Sequence, residues 1–175
     1  MRKLLLLIAF TVLGLASANA QDWDAFIAAY TGDNGERVDS FEMDSYDSLE
    51  LAELAFRTLF ANNKAYKPRK SKFYIVSFLH CARHMYIDPD GPFMASLQDI
   101  RPKVRKTSFY YNKEEKLYGE VMFFFITEMD MTGKNTAIIK GGYYQTDEAC
   151  AGHKYNMKRV DGVWDIERVV VEWEL

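Results

Sequence analysis

The feature that most constrains this chain is a change of hydrophobic period. From about Val104 onward, apolar residues recur every second position rather than at helical spacing, the mark of strands with alternating faces. The alternation predicts five strands, over 107–111, 117–128, 136–146, 153–160 and 163–173. They are separated by turn-forming stretches such as Asn112-Lys113-Glu114-Glu115, Thr132-Gly133-Lys134-Asn135 and Asp161-Gly162. Connections this short make neighbours antiparallel, so the expected unit is a β-meander. Asp161-Gly162 is its strongest turn signal, because both residues tolerate the positive φ of a two-residue primed hairpin.

Two strands depart from simple alternation. Phe123-Phe124-Phe125-Ile126 is apolar on both faces, which predicts a central strand covered on one side by helices and on the other by a second protomer, a curled edge or a ligand. In the last strand, parity places Trp164, Ile166 and Val170 on one face and Val169, Val171 and Trp173 on the other. Cover on both faces is expected there for part of its length.

The first half of the chain reads as helical. Asp44, Ser45 or Asp47 can cap a helix, Asp47 with Glu50 resembles a capping box, and Leu51, Leu54, Ala55, Phe56, Leu59 and Phe60 keep one face to Asn62-Asn63. Trp23, Phe26, Ile27 and Tyr30 suggest a short opening helix, and 36–44 a loop or edge strand. The basic stretch 64–72, with Pro68, is read as a connector. Phe78, Cys81, Ala82, Met85 and Tyr86 fit a helix stripe, although Phe73-Tyr74-Ile75-Val76 would suit a strand; the expectation is a helix from near Ser71 to the turn Asp88-Pro89-Asp90-Gly91. One or two further helical turns are expected in 93–100. The whole is an α+β domain, N-terminal helices packed on a curved C-terminal meander of about five strands.

Residues 1–20 are set apart from the fold. Met1-Arg2-Lys3 is a positive start, 4–15 an apolar run, and Ala18-Asn19-Ala20 a small-x-small cleavage pattern, which together describe a secretory signal peptide. The run is short for a transmembrane anchor, which needs about 20 residues, and cleavage near Ala20 implies a periplasmic or extracellular protein. One domain, 21–175, remains. Losing Arg2 and Lys3 takes the net charge from −3 to −5, and a mildly acidic surface with mixed signs argues against nucleic-acid partners. In an oxidising compartment Cys81 and Cys150 could be bridged, or could be two separately buried small residues.

The last hairpin, Tyr155-Asn156-Met157-Lys158-Arg159-Val160-Asp161-Gly162-Val163-Trp164-Asp165-Ile166, placed after helices and within a twisted antiparallel sheet, resembles the NTF2-like and cystatin-like group of α+β cones. The sequence Gly141-Gly142-Tyr143-Tyr144, Cys150-Ala151-Gly152 and Asp161-Gly162-Val163-Trp164 is also similar to small secreted bacterial proteins of unassigned role. The first resemblance implies a cone whose interior can hold a small molecule. Enzymes of that group use pocket Asp and His residues, none of which aligns onto this chain.

No motif assigns a reaction. His80 and His84 have the i, i+4 spacing of a zinc pair on a helix, with His153 or a carboxylate as a conceivable third ligand, but the residue after His80 is not Glu and the zinc-protease pattern fails. Cys150 with His153 and Asp147 would make chemical sense as an activated thiol, against which stands the rarity of a triad within one turn. The aromatic set is richer. Tyr110, Tyr111, Tyr118, Tyr143, Tyr144, Tyr155 and Trp164 could line a pocket or simply pair across strands, and Tyr118, Tyr143, Tyr144, Tyr155 and Trp164 are the pocket candidates. The expectation is an exported, non-catalytic module, without cofactor, binding a small apolar or aromatic ligand or a protein partner, with a homodimer conceivable. The alternatives are a small hydrolase or isomerase with a cone pocket and a His-based metal-binding protein.

Overall fold

The computed structural model describes residues 40–41, 46–62, 71–80, 85–111, 120–146 and 149–174. The signal peptide, the opening helix, the connector, Cys81, His84 and Tyr118 all lie outside the described residues. What is described is α+β: helices α1 (Tyr46–Asn62), α2 (Gly91–Ser96) and α3 (Thr107–Tyr111), and one mixed sheet. Its strands are β1 (Ser40–Phe41), β2 (Phe73–His80), β3 (Met85–Pro89), β4 (Lys103–Lys106), β5 (Val121–Gly133), β6 (Thr136–Thr146), β7 (Ala149–Val160) and β8 (Val163–Glu174). The order is β1-β3-β2-β5-β6-β7-β8, with β4 also paired to β2.

Residues 73–80 and 85–89 are strand rather than helix. β2 runs parallel to β5 along one edge, while its other edge pairs with β4 over Phe73–Val76 and with β3 over Phe78–His80. Being central, β2 buries side chains on both faces, Val76 and Phe78 on one and Ile75 and Ser77 on the other. A continuous apolar run of that kind imitates a helix stripe, since periodicity cannot separate the two; the β-branched Ile75-Val76 was the better guide. The edge strand expected within 36–44 is present as β1, parallel to β3.

The 107–111 segment differs in the opposite sense: it is α3, not a strand. Phe109 and Tyr110, adjacent in sequence, both pack against the cluster of Ile75, Val121 and Phe123, which strand alternation would forbid. Thr107 Oγ1 donates to the Val76 carbonyl at 3.3 Å, and the Asp88 carboxylate accepts from the Ser108 amide at 3.1 Å, fixing the turn. The meander therefore has β5 to β8 as its members.

β5 is central and covered on both faces, as its Phe-Phe-Phe-Ile run requires. Met122, Phe124 and Ile126 join the main core under α1, while Val121 and Phe123 join the smaller cluster under α3. We call these the inner and outer faces. α1 buries Leu51, Ala52, Ala55, Phe56 and Leu59 against the inner face, and Phe56 meets Phe78 and Phe93 edge-on with centroids 5.8 and 5.6 Å apart. α2 begins where Asp90 accepts from the Phe93 amide at 2.8 Å, with Pro in its first turn, the usual chemistry of a helix start. Arg57 ties α1 to the end of α2 through Asp99 and the Ser96 carbonyl.

Asp47 does something other than what a capping box would ask. Its carboxylate pairs with Arg159 at 2.8 Å and accepts from Trp164 Nε1 at 3.4 Å, so the first turn of α1 is anchored to the last hairpin. That hairpin has the expected turn, Asp161 at φ 52° and Gly162 at φ 85°.

Parity along β8 is broken twice. The register jumps between Asn156↔Arg168 and Met157↔Ile166, and again between Gly152↔Trp173 and His153↔Val171. Each β-bulge moves the following side chains to the other face. Consequently Val169 and Val171 share the inner face with Trp164 and Ile166, while Val170, expected on the Trp164 face, turns outward with Trp173. Cover on both sides does not extend along this stretch: Val169, Val171 and Trp173 are 39%, 52% and 44% exposed.

Candidate functional site

The inner-face residues of β6 and β7 bring together three of the side chains that matter. Tyr143, His153 and Tyr155 are buried in a row, the His153 ring lying 6.0 Å from each tyrosine ring at 30° and 23°. The row exists because odd-numbered residues of β7 face inward and Gly141, directly opposite His153, puts no side chain beside it. A Cβ at Gly141 would collide with the Phe125 carbonyl across β5, so glycine is required by the close approach of the two backbones. On the outer face, Gly142 and Gly152 are paired, and a Cβ on either would strike Ala151's carbonyl or the Trp173 indole respectively.

Two polar atoms of this row are closed off from solvent without a hydrogen-bond partner among the described residues, His153 Nδ1 and Tyr155 Oη. Leaving such a group unsatisfied costs about 1–3 kcal/mol, and native folds keep few of them. Burial is the main cause of the lowered pKa of His153, partly opposed by the Glu174 carboxylate, so the ring is neutral near pH 7. Burial also raises the Tyr155 hydroxyl, and raises Tyr143 with Glu174 adding to it. A neutral imidazole offers one donor and one acceptor and a tyrosine hydroxyl offers both, so the row can meet a hydroxyl, carbonyl or amide in either sense. With no cation in the row and Glu174 beside it, an anion would be disfavoured.

The register places an exposed rim next to these buried groups. Val169 is opposite Tyr155, Val171 opposite His153, and Glu174 opposite Ala151. An apolar lip with one carboxylate therefore borders a polar interior along the β8 edge.

The other sequence candidates are dispersed. Tyr144 is half-buried on the outer face, opposite Cys150, which is itself buried. Trp164 belongs to the hairpin, stacked under the Arg159 guanidinium at 5.5 Å. His80 ends strand β2, so the helical i, i+4 argument for a zinc pair with His84 is overturned, and Cys81 lies outside the described residues along with any bridge to Cys150. Among the described residues no group of three or more His, Cys, Asp or Glu side chains is arranged to hold a metal ion. Likewise, no described helix is long and apolar enough to cross a membrane.

His153 was seen in the sequence only as a partner for Cys150 or for a metal. The signal that would have found its role was its parity with Tyr155, two residues on along a strand. Glu174 was open to the same argument, because the two bulges of β8 cancel in parity and leave it on the inner face with Trp164 and Ile166. No known protein family, curated protein or solved structure matches this chain.

Proposed function

We propose that the chain is an exported, non-catalytic binding module whose ligand is a small, uncharged molecule with an apolar or aromatic body and one hydrogen-bonding group. The observation that carries this reading is the pair of buried atoms without a partner among the described residues, His153 Nδ1 and Tyr155 Oη, behind an exposed apolar rim. A ligand laid on Val169 and Val171 with its polar group directed inward would supply the missing bonds, and preorganised polar groups in an apolar surround are how such sites orient small molecules. The leader-like pattern of residues 1–20 supports export. The cone resemblance belongs to the same proposal, with the N-terminal helices closing the inner face of the meander.

Phenol and cyclohexanol are suitable probes, titrated by calorimetry and by amide chemical shifts. Saturable binding is expected, with shifts centred on 141–143, 151–155 and 169–171, and a loss of at least tenfold in affinity in Tyr155→Phe. Saturable binding centred elsewhere, or unchanged in that variant, refutes the assignment.

A further inference from the structure

The outer face carries a second polar group that the ligand site does not use. Arg105, on β4, lies opposite Ile75 of β2 and points to the side of the sheet away from the Tyr143, His153 and Tyr155 row. Its guanidinium carbon is 5.8 Å from the Phe73 ring centroid and 5.3 Å from that of Phe109, so one cation is held by two aromatic rings that themselves meet edge-on at 5.2 Å. Contacts of this kind hold a guanidinium in place over the ring faces.

What the rings do not provide is a counter-charge. Arg105 has no hydrogen bond or ion pair among the described residues, and its Nε is buried without a partner. Among the described carboxylates, Glu120 pairs with Lys72 at 2.8 Å, Asp88 accepts from the Ser108 amide, and Asp99 pairs with Arg57. Lys103, on the same face of β4 and directly opposite Phe73, adds a second positive charge that is exposed. Half-buried guanidinium groups ordinarily satisfy their donors with carboxylate or phosphate, and Arg is suited to coplanar, bidentate contact with either.

We propose that Arg105, lying over Phe73 and Phe109 and flanked by Lys103, is a binding site for the carboxylate of a small organic acid. The carboxylate lies in the guanidinium plane against the two terminal nitrogens, and the acid's apolar part rests on the exposed margins of the phenyl rings. An organic carboxylate is favoured over inorganic phosphate because its apolar body can rest on the half-buried Phe73 and Phe109 rings beside the guanidinium. This site is independent of the uncharged-ligand site on the inner face.

The test is a titration of the purified protein with benzoate, and in parallel with inorganic phosphate, at ionic strength held constant with sodium chloride, following the Arg105 Nε–H resonance and the 103–110 amides. Saturable shifts with benzoate are expected, at least tenfold tighter than with phosphate, and weakened at least tenfold in Arg105→Gln. Should that variant fail to fold, Arg105→Lys keeps a cation over the rings but not the fork, and a loss of at least fivefold is expected. A response no different from that to chloride, equal affinity for phosphate, or benzoate affinity unchanged in a folded variant would each overturn the proposal.

Discussion

Replacing Tyr155 by Phe should make the protein more stable, a direction opposite to that of most core substitutions. The ring is fully buried beside His153 and its hydroxyl has no partner among the described residues. The variant keeps the shape of the ring and removes one oxygen, so the desolvation penalty of about 1–3 kcal/mol is relieved. The small void left by the oxygen offsets part of that gain, at about 24 cal/mol per Å³ of residual cavity. A net gain of about 1 kcal/mol is expected, which for a domain of this size is a rise in Tm of about 2–4 °C. Urea denaturation at pH 7 measures it directly, with the slope unchanged between the two proteins. There is also an alkaline signature. Burial raises the Tyr155 pKa above its usual value of 10.0, so the unfolded chain loses this proton first as pH climbs. Stability from this group is whole below about pH 10 and falls above it, and Tyr155→Phe should flatten that limb. A fall in stability at pH 7 would refute the reasoning, because it would mean that the hydroxyl is satisfied.

His153 gives the complementary acid-side expectation. Its folded pKa is depressed by burial, the nearby Glu174 opposing, so the unfolded chain takes up a proton first as pH drops below about 6.5; His153→Phe should lessen the loss of stability between pH 7 and 5 in urea melts, and an identical acid limb in the variant would contradict this. The paired glycines Gly142 and Gly152 should respond unequally to alanine. A methyl at Gly142 meets the Ala151 backbone, which cannot yield, whereas at Gly152 it meets the half-exposed Trp173 indole, which can swing away. Gly142→Ala should therefore cost about 3 kcal/mol and Gly152→Ala about 1 kcal/mol or less, and equal losses in denaturant melts would count against the close-approach explanation.

The legible part of this fold was the part with local rules. Turn chemistry at Asp161-Gly162 and the stripe of α1 each have one physical solution, and each is found; β5 is covered on both faces as expected, but its outer cover is helix α3 rather than a second protomer, a curled edge or a ligand. What misled was burial on two faces and register. β2 is apolar on both sides, so Phe78 and its neighbours imitated a helix. The bulges at β8 come from pairing with β7 and reversed the faces assigned to Val169, Val170 and Val171. The candidate site was legible only in part: Tyr143 and Tyr155 could be named from their strands, but that His153 stands between them without a partner for Nδ1 among the described residues depends on what lies across the sheet. Arg105 carried no signal at all, since its two aromatic neighbours come from β2 and α3.

The pairing of β2 with β5 bears on how the chain reaches this structure. β5 to β8 are joined by short connections and can zip in sequence, each hairpin closing a small loop. By contrast, Phe73 meets Val121 in a parallel ladder across α2, β4 and α3, and long-range closure of that kind is slow. The meander should thus gain protection from amide exchange before the β2 ladder does. Until β2 docks, β5 presents Phe124 and Ile126 along an open strand, so the time spent waiting for that one parallel contact sets how long the chain is vulnerable to self-association during folding.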